Sequence, residues 1–121
     1  MSIKIGDVVS LKEIDPDTFN LAKGLNVFFV CGILSPYIYL SPIKNQDKVC
    51  EEKINNLTRL NKFRKGDSIR YKKSEYNTNQ IRRVVKVKGV NYNPSSGHVY
   101  IETSISSFPN ESSCILKKRA K

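Results

Sequence analysis

The chain of 121 residues has no tryptophan, one methionine, one histidine and three cysteines. Each shortage excludes a class of function. General acid–base catalysis needs paired titratable groups held in a pocket, and here His98 is the sole imidazole while the one cluster of acids is Glu13, Asp15 and Asp17. Those three alternate as in a calcium loop but lack its glycine and terminal glutamate, so they read as a solvated loop. With neither a glycine-rich phosphate loop nor a nucleophile elbow, the chain is expected not to be an enzyme and to use no cofactor. Cys31, Cys50 and Cys114 are odd in number, far apart and without a CxxC or CxxH pair. That pattern suits reduced thiols, not a disulfide framework or a zinc site, and no metal is expected. The longest apolar stretch, Leu25 to Leu40, is broken by Asn26, Gly32, Ser35 and Pro36, short of the roughly 18 to 20 residues that a membrane span requires. Met1 to Asp7 lacks the apolar segment of a signal peptide, so an intracellular location in cytoplasm, nucleus or virion is expected, with no membrane partner.

What is abundant is positive charge. The formal net charge is +10 and the isoelectric point is near 9.7, in a chain that is 39% hydrophobic and 26% charged, with a mean hydropathy of -0.42. Such a composition supports a packed core in one domain or in two small ones of about 60 residues. Residues 1 to 60 hold seven Lys or Arg against seven Asp or Glu, and residues 61 to 121 hold fourteen against four. The second half therefore carries the whole excess. Lys outnumbers Arg fifteen to six, as expected of an AT-rich genome, and a virion or host-modulating role fits a chain this small.

An internal echo divides the chain at the same place. Ile5, Gly6, Asp7, Val8, Val9, Ser10, Leu11 and Lys12 are answered sixty residues later by Lys65, Gly66, Asp67, Ser68, Ile69, Arg70, Tyr71 and Lys72. Val30, Cys31, Gly32 and Ile33 are answered at an offset of fifty-seven by Val87, Lys88, Gly89 and Val90. Each copy continues into a third predicted strand, Tyr37 to Leu40 and His98 to Ile101. Short alternating strands between turn residues indicate a small antiparallel barrel or sandwich. The expected fold is mainly β: two tandem barrels, or one continuous barrel or sandwich, with a short helix at the join. The first domain is expected over 1–46, a helical connector over 47–61, where Val49, Ile54, Leu57 and Leu60 fall near one helical face, and the basic second domain over 62–121. A second short helix is predicted over Pro16 to Lys23, capped by Asp15 and ended by Gly24. The corresponding connection of the second copy, Lys73 to Gln80, is polar and reads as an exposed loop.

A Gly-Asp turn ahead of a Val-x-Val-type strand, then a longer strand ending in glycine, then a hairpin into a third strand, resemble the SH3-like small barrels of the KOW and Tudor type. The resemblance covers about 45 residues in each half and is one of strands and turns. It implies binding of nucleic acid or protein tails.

The residues themselves point to nucleic acid. In Arg82, Arg83, Val84, Val85, Lys86, Val87 and Lys88, read as a strand, Val85 and Val87 face inward while Arg82, Val84, Lys86 and Lys88 share the other face, with side chains recurring every ~6.6 Å. Arg70 and Lys72 alternate outward in the same way opposite Ile69 and Tyr71. Lys73, a leading cluster of Lys62, Arg64 and Lys65, and a terminal run of Lys117, Lys118, Arg119 and Lys121 extend the set. Phosphate backbones attract such surfaces through counterion release. Tyr71, Tyr76, Tyr92 and Tyr100, with His98, are candidates for stacking on bases; Tyr71 and Tyr100 read rather as core residues with the hydroxyl at the rim, which leaves Tyr76 and Tyr92, in predicted loops, as the better candidates. The competing reading of the ladder is an edge strand guarded by lysines against aggregation. For function, the alternative is a structural or interaction protein that docks a protein partner on the neutral half through Phe28, Phe29, Tyr37, Ile38 and Tyr39, or a Tudor-like reader holding a methylated tail in an aromatic cage.

Overall fold

A computed structural model describes residues 2–44, 46–71, 84–105 and 107–120. The chain divides into two compact units, Met1–Leu60 and Asn61–Lys121, and each is built on an antiparallel sheet. In the first unit the elements are β1 (Val8–Leu11), α1 (Pro16–Leu21), β2 (Phe28–Leu34), β3 (Tyr37–Ser41), β4 (Cys50–Lys53), a 3-10 turn (Ile54–Asn56) and β5 (Leu57–Arg59). The spatial order is β4-β3-β2-β1-β5. The second unit has β6 (Ser68–Tyr71), β7 (Val85–Asn93), β8 (His98–Thr103), a 3-10 turn (Glu111–Ser113) and β9 (Cys114–Lys118), in the order β8-β7-β6-β9. Among the described residues neither sheet closes into a barrel.

The echo in the sequence is an echo in hydrogen bonding. Gly6 N donates to Val30 O at 2.8 Å and Gly66 N to Val87 O at 2.8 Å; Val30 N returns to Asp7 O at 2.9 Å and Val87 N to Asp67 O at 2.8 Å. Inside each turn the aspartate side chain accepts a backbone N–H three residues back, from Lys4 and from Arg64, both at 3.0 Å. Both glycines take a positive φ, +94° at Gly6 and +93° at Gly66, which L side chains rarely adopt. One residue further, each unit shows the same irregularity. Register shifts between Val30 and Gly32 in β2 and between Val87 and Gly89 in β7, making Cys31 and Lys88 the extra residues of two matching bulges.

Alternation then places the cores. In the first unit Val9, Leu11, Phe28, Val30, Ile38, Leu40 and Leu57 pack with Ile3 and Ala22. In the second, Phe63, Ile69, Tyr71, Val85, Val87, Val90, Ile101 and Cys114 are buried. The helix α1 forms as predicted: Asp15 accepts from Thr18 N at 2.8 Å, Pro16 occupies the first turn, and Gly24, at φ +76°, follows the end. The helix expected over 47–61 does not form. Instead β4 pairs with β3 through Tyr37↔Lys53 to Leu40↔Cys50, and β5 pairs with β1 through Leu11↔Leu57. Of the apolar residues that suggested a helical face, Val49 and Ile54 are over 40% exposed and only Leu57 is fully buried. One buried side chain holds a helix weakly, whereas the same segment as two strands satisfies the open backbone on both edges of the sheet. Residues 47–60 accordingly belong to the first unit and do not form a separate connector.

Candidate nucleic-acid interface

The candidate interface starts from β7. Val85 and Val87 are 3% and 2% exposed while Lys86 and Lys88 are exposed, so the strand turns its valines to the core and its lysines to solvent. Strand β6 alternates likewise: Ile69 and Tyr71 are buried, Ser68 and Arg70 point the other way and are half-buried. Register aligns these strands with β9. Ser68 is opposite Lys86 on one side and opposite Lys118 on the other. Side chains opposite one another share a face, so Lys86, Ser68 and Lys118 form one row across three strands, the two lysines about 10 Å apart at the usual strand spacing. Arg70, two residues along β6, lies on the same face opposite Ile115, its Nε enclosed and without a hydrogen-bond partner. The face also bears Glu102, paired with Gly89.

The remaining cations are placed differently. Lys117 is exposed and is the extra residue of the shift that separates Ser68↔Lys118 from Ile69↔Leu116. Arg119 is engaged within its own unit. Its Nη1 donates to Lys62 O at 2.8 Å and to Asp67 Oδ2 at 3.0 Å, and Ala120 N donates to Asp67 Oδ1 at 2.8 Å. Arg119 therefore ties the end of β9 to the buried Asp67 turn while its side chain stays 55% exposed. Lys72, Lys73, Tyr76, Arg82 and Arg83 lie outside the described residues.

An aromatic groove adjoins β7 and β8. Tyr92, expected in a loop, is the penultimate residue of β7, and with Asn93, Pro94, Tyr100, Phe108 and Asn110 it lines an open groove of about 460 Å³. Tyr100 and Phe108 stand edge to face, their ring centroids 6.5 Å apart and their planes at 82°. Segment 107–110 runs beside β8 through Ile101 N to Pro109 O at 2.8 Å and a bridge between Tyr100 and Asn110. Tyr71 is a core residue, as expected, its hydroxyl bonded to Ser107 Oγ. Tyr100 is half-buried and lines the groove, and Phe108 is a site residue that sequence reasoning missed. The signal was available: Phe108 is the lone aromatic in a run of serines and polar residues from Ser104 to Ser113, followed by Pro109.

In the first unit the counterpart groove, about 510 Å³, is bordered by Glu13, Glu51 and Glu52 against Lys12 and Lys53, with Tyr37 beside them. Phe28, Phe29 and Ile38, considered for docking, are buried and cannot serve; Tyr37 is exposed, and Lys48 sits 4.4 Å over the Tyr39 ring. Burial pushes the Cys31 thiol up, and burial followed by nearby Glu52 and Asp15 pushes Cys50 up to about 11. Among the described residues no His, Cys, Asp or Glu cluster is arranged to hold a metal, and no helix is long and apolar enough to cross a membrane. No family model, curated protein or solved structure matches this chain.

Proposed function

We propose that the chain is a non-catalytic nucleic-acid-binding protein made of two SH3-like modules in tandem, the second of which grips the phosphate backbone. The observation that carries this reading is the row Lys86–Ser68–Lys118, with half-buried Arg70 and exposed Lys88 beside or along it in a unit of net charge +10. An edge strand guarded against aggregation needs one or two lysines; Lys118 is on the edge strand β9, but Lys86 and Lys88 sit on β7, an interior strand of its sheet. The SH3-like reading is supported by the meander β1-β2-β3-β4, by a fifth strand returning to β1 after a 3-10 turn, and by the same turn before β9. Long cations position phosphates and read no base edges, so sequence preference is weak. Binding of the full chain to a labelled oligonucleotide, measured across salt, tests the reading. With four phosphates contacted by Arg70, Lys86, Lys88 and Lys118, log affinity falls against log salt with a slope of about -3.6 on duplex or about -2.8 on a single strand. A slope near zero contradicts it.

A second reading places a protein partner, such as a tail bound in the Tudor manner, on the first unit. It is favoured by Ile33, Leu34 and Tyr37, which expose 42%, 63% and 40% of their surface at the β2–β3 hairpin. A partner retained from cell extract after nuclease treatment supports this reading over the first.

A further inference from the structure

We infer that the groove of Tyr92, Tyr100 and Phe108 is a stacking site for one unpaired base of a single-stranded nucleic acid, an inference that rests on the nucleic-acid reading above. Phe108 is 63% exposed, so its ring is open to a guest from solvent. Its edge-to-face partner Tyr100 gives the groove two walls at 82°, and Tyr92 adds a third ring. A flat ring can lie against one wall with its edge toward another, and Asn93 and Asn110 place amide groups, each both donor and acceptor, around the same space. Paired bases are stacked inside a duplex and cannot enter, which selects a single strand.

Charge decides between a base and the other guest of aromatic walls, a methylated ammonium. The lining residues Tyr92, Asn93, Pro94, Tyr100, Phe108 and Asn110 include no carboxylate, and the unit around them carries +10. A cation is repelled there, whereas a base arrives attached to phosphate. Along β8, Tyr100 and Glu102 alternate with buried Ile101 and Thr103, and Ser104 N, just past the strand, donates to Lys86 O at 3.0 Å, so Tyr100 and Lys86 lie on one face of the sheet with the Glu102 carboxylate between them. Four residues, about 13 Å of strand, separate Tyr100 from Ser104 beside Lys86.

The test compares the full chain on two labelled probes of equal charge, a 12-mer of deoxythymidine and a 12-mer of abasic sites. The expected result is binding at least about fivefold tighter to the deoxythymidine probe. The double variant Tyr92→Ala/Phe108→Ala should lose that preference while holding the abasic probe as the unaltered chain does. Phe108→Ala alone, at an exposed position, supplies a folded variant if the double one is unstable. Equal affinity for both probes, each with a steep salt dependence, overturns the stacking site and leaves backbone binding standing. Absence of salt-dependent binding to either probe overturns both. Tighter binding of a trimethyllysine peptide than of the deoxythymidine probe also overturns the inference.

Discussion

Cys31 and Lys88 occupy the same place in the two units, each the extra residue of a bulge one step beyond the valine that pairs with the Gly-Asp turn. In the first unit that place holds a thiol raised by burial, and in the second an exposed lysine. Leu11 opposite Leu57 in one unit becomes Tyr71 opposite Cys114 in the other, a larger residue facing a smaller one, so the pair fills similar space with different side chains. The grooves differ as well: glutamates and lysines border one, and neutral aromatic and amide residues line the other. The comparison teaches that the backbone hydrogen bonds of the turn and the alternation of the strands hold the frame constant, while the outward positions are free to change charge. Binding chemistry can therefore be confined to one copy of a repeated frame.

Five substitutions probe how far the frames are alike. Asp67→Ala has the largest expected effect, because it strips partners from Arg64 N, Ala120 N and Arg119 Nη1; a loss of about 2 to 4 kcal/mol in denaturant unfolding is expected. Arg119→Ala should cost less than about 1 kcal/mol, since that side chain is 55% exposed. Equal losses from the two would mean that the ion pair, and not the turn, holds this corner. Next come the glycines. Gly6→Ala meets no atom within 4 Å and carries only the backbone penalty, about 1 to 2 kcal/mol, whereas Gly66→Ala brings its new carbon to 3.0 Å from the Ala120 Cβ and should cost more. The smallest effect is at Cys50. Its thiol titrates at about 11 in the fold against 9.0 ordinarily, so the stability it contributes is complete below pH 9.0 and lost as the pH rises toward 11. Melting temperature should therefore fall less between those limits in Cys50→Ala than in the unaltered chain, and an identical fall would remove the thiol from the account.

Much of the frame was legible in the sequence, because glycine at positive φ followed by a buried aspartate imposes the same residues twice. The lysine–valine alternation of β7 was legible for the same reason: a period of two survives whatever the strand packs against. The segment 47–61 was misread since its helical face required Val49 and Ile54 to be buried, and only the two open sheet edges, invisible in the sequence, decide that they are not. The row Lys86–Ser68–Lys118 was out of reach. It depends on pairing across fifty residues and on a bulge at Lys117, which sets whether Lys118 faces the lysines or the core. Tyr100 as a tyrosine in a strand suits a core position with its hydroxyl at the rim; only segment 107–110 beside β8 shows that Phe108 forms the opposite wall.

The central claim, that binding belongs to the cationic face of the second unit, is tested most directly by two charge reversals of equal size. The variant Lys86→Glu/Lys88→Glu/Lys118→Glu is compared with Lys12→Glu/Lys23→Glu/Lys53→Glu, whose lysines are exposed in the first unit. Because the net charge changes equally, long-range attraction falls alike in both. The account predicts that the slope of log affinity against log salt shrinks by about 2 to 3 in the second-unit variant and stays in place in the first-unit variant. Equal changes in the two, or an unaltered slope in the second-unit variant, would contradict it.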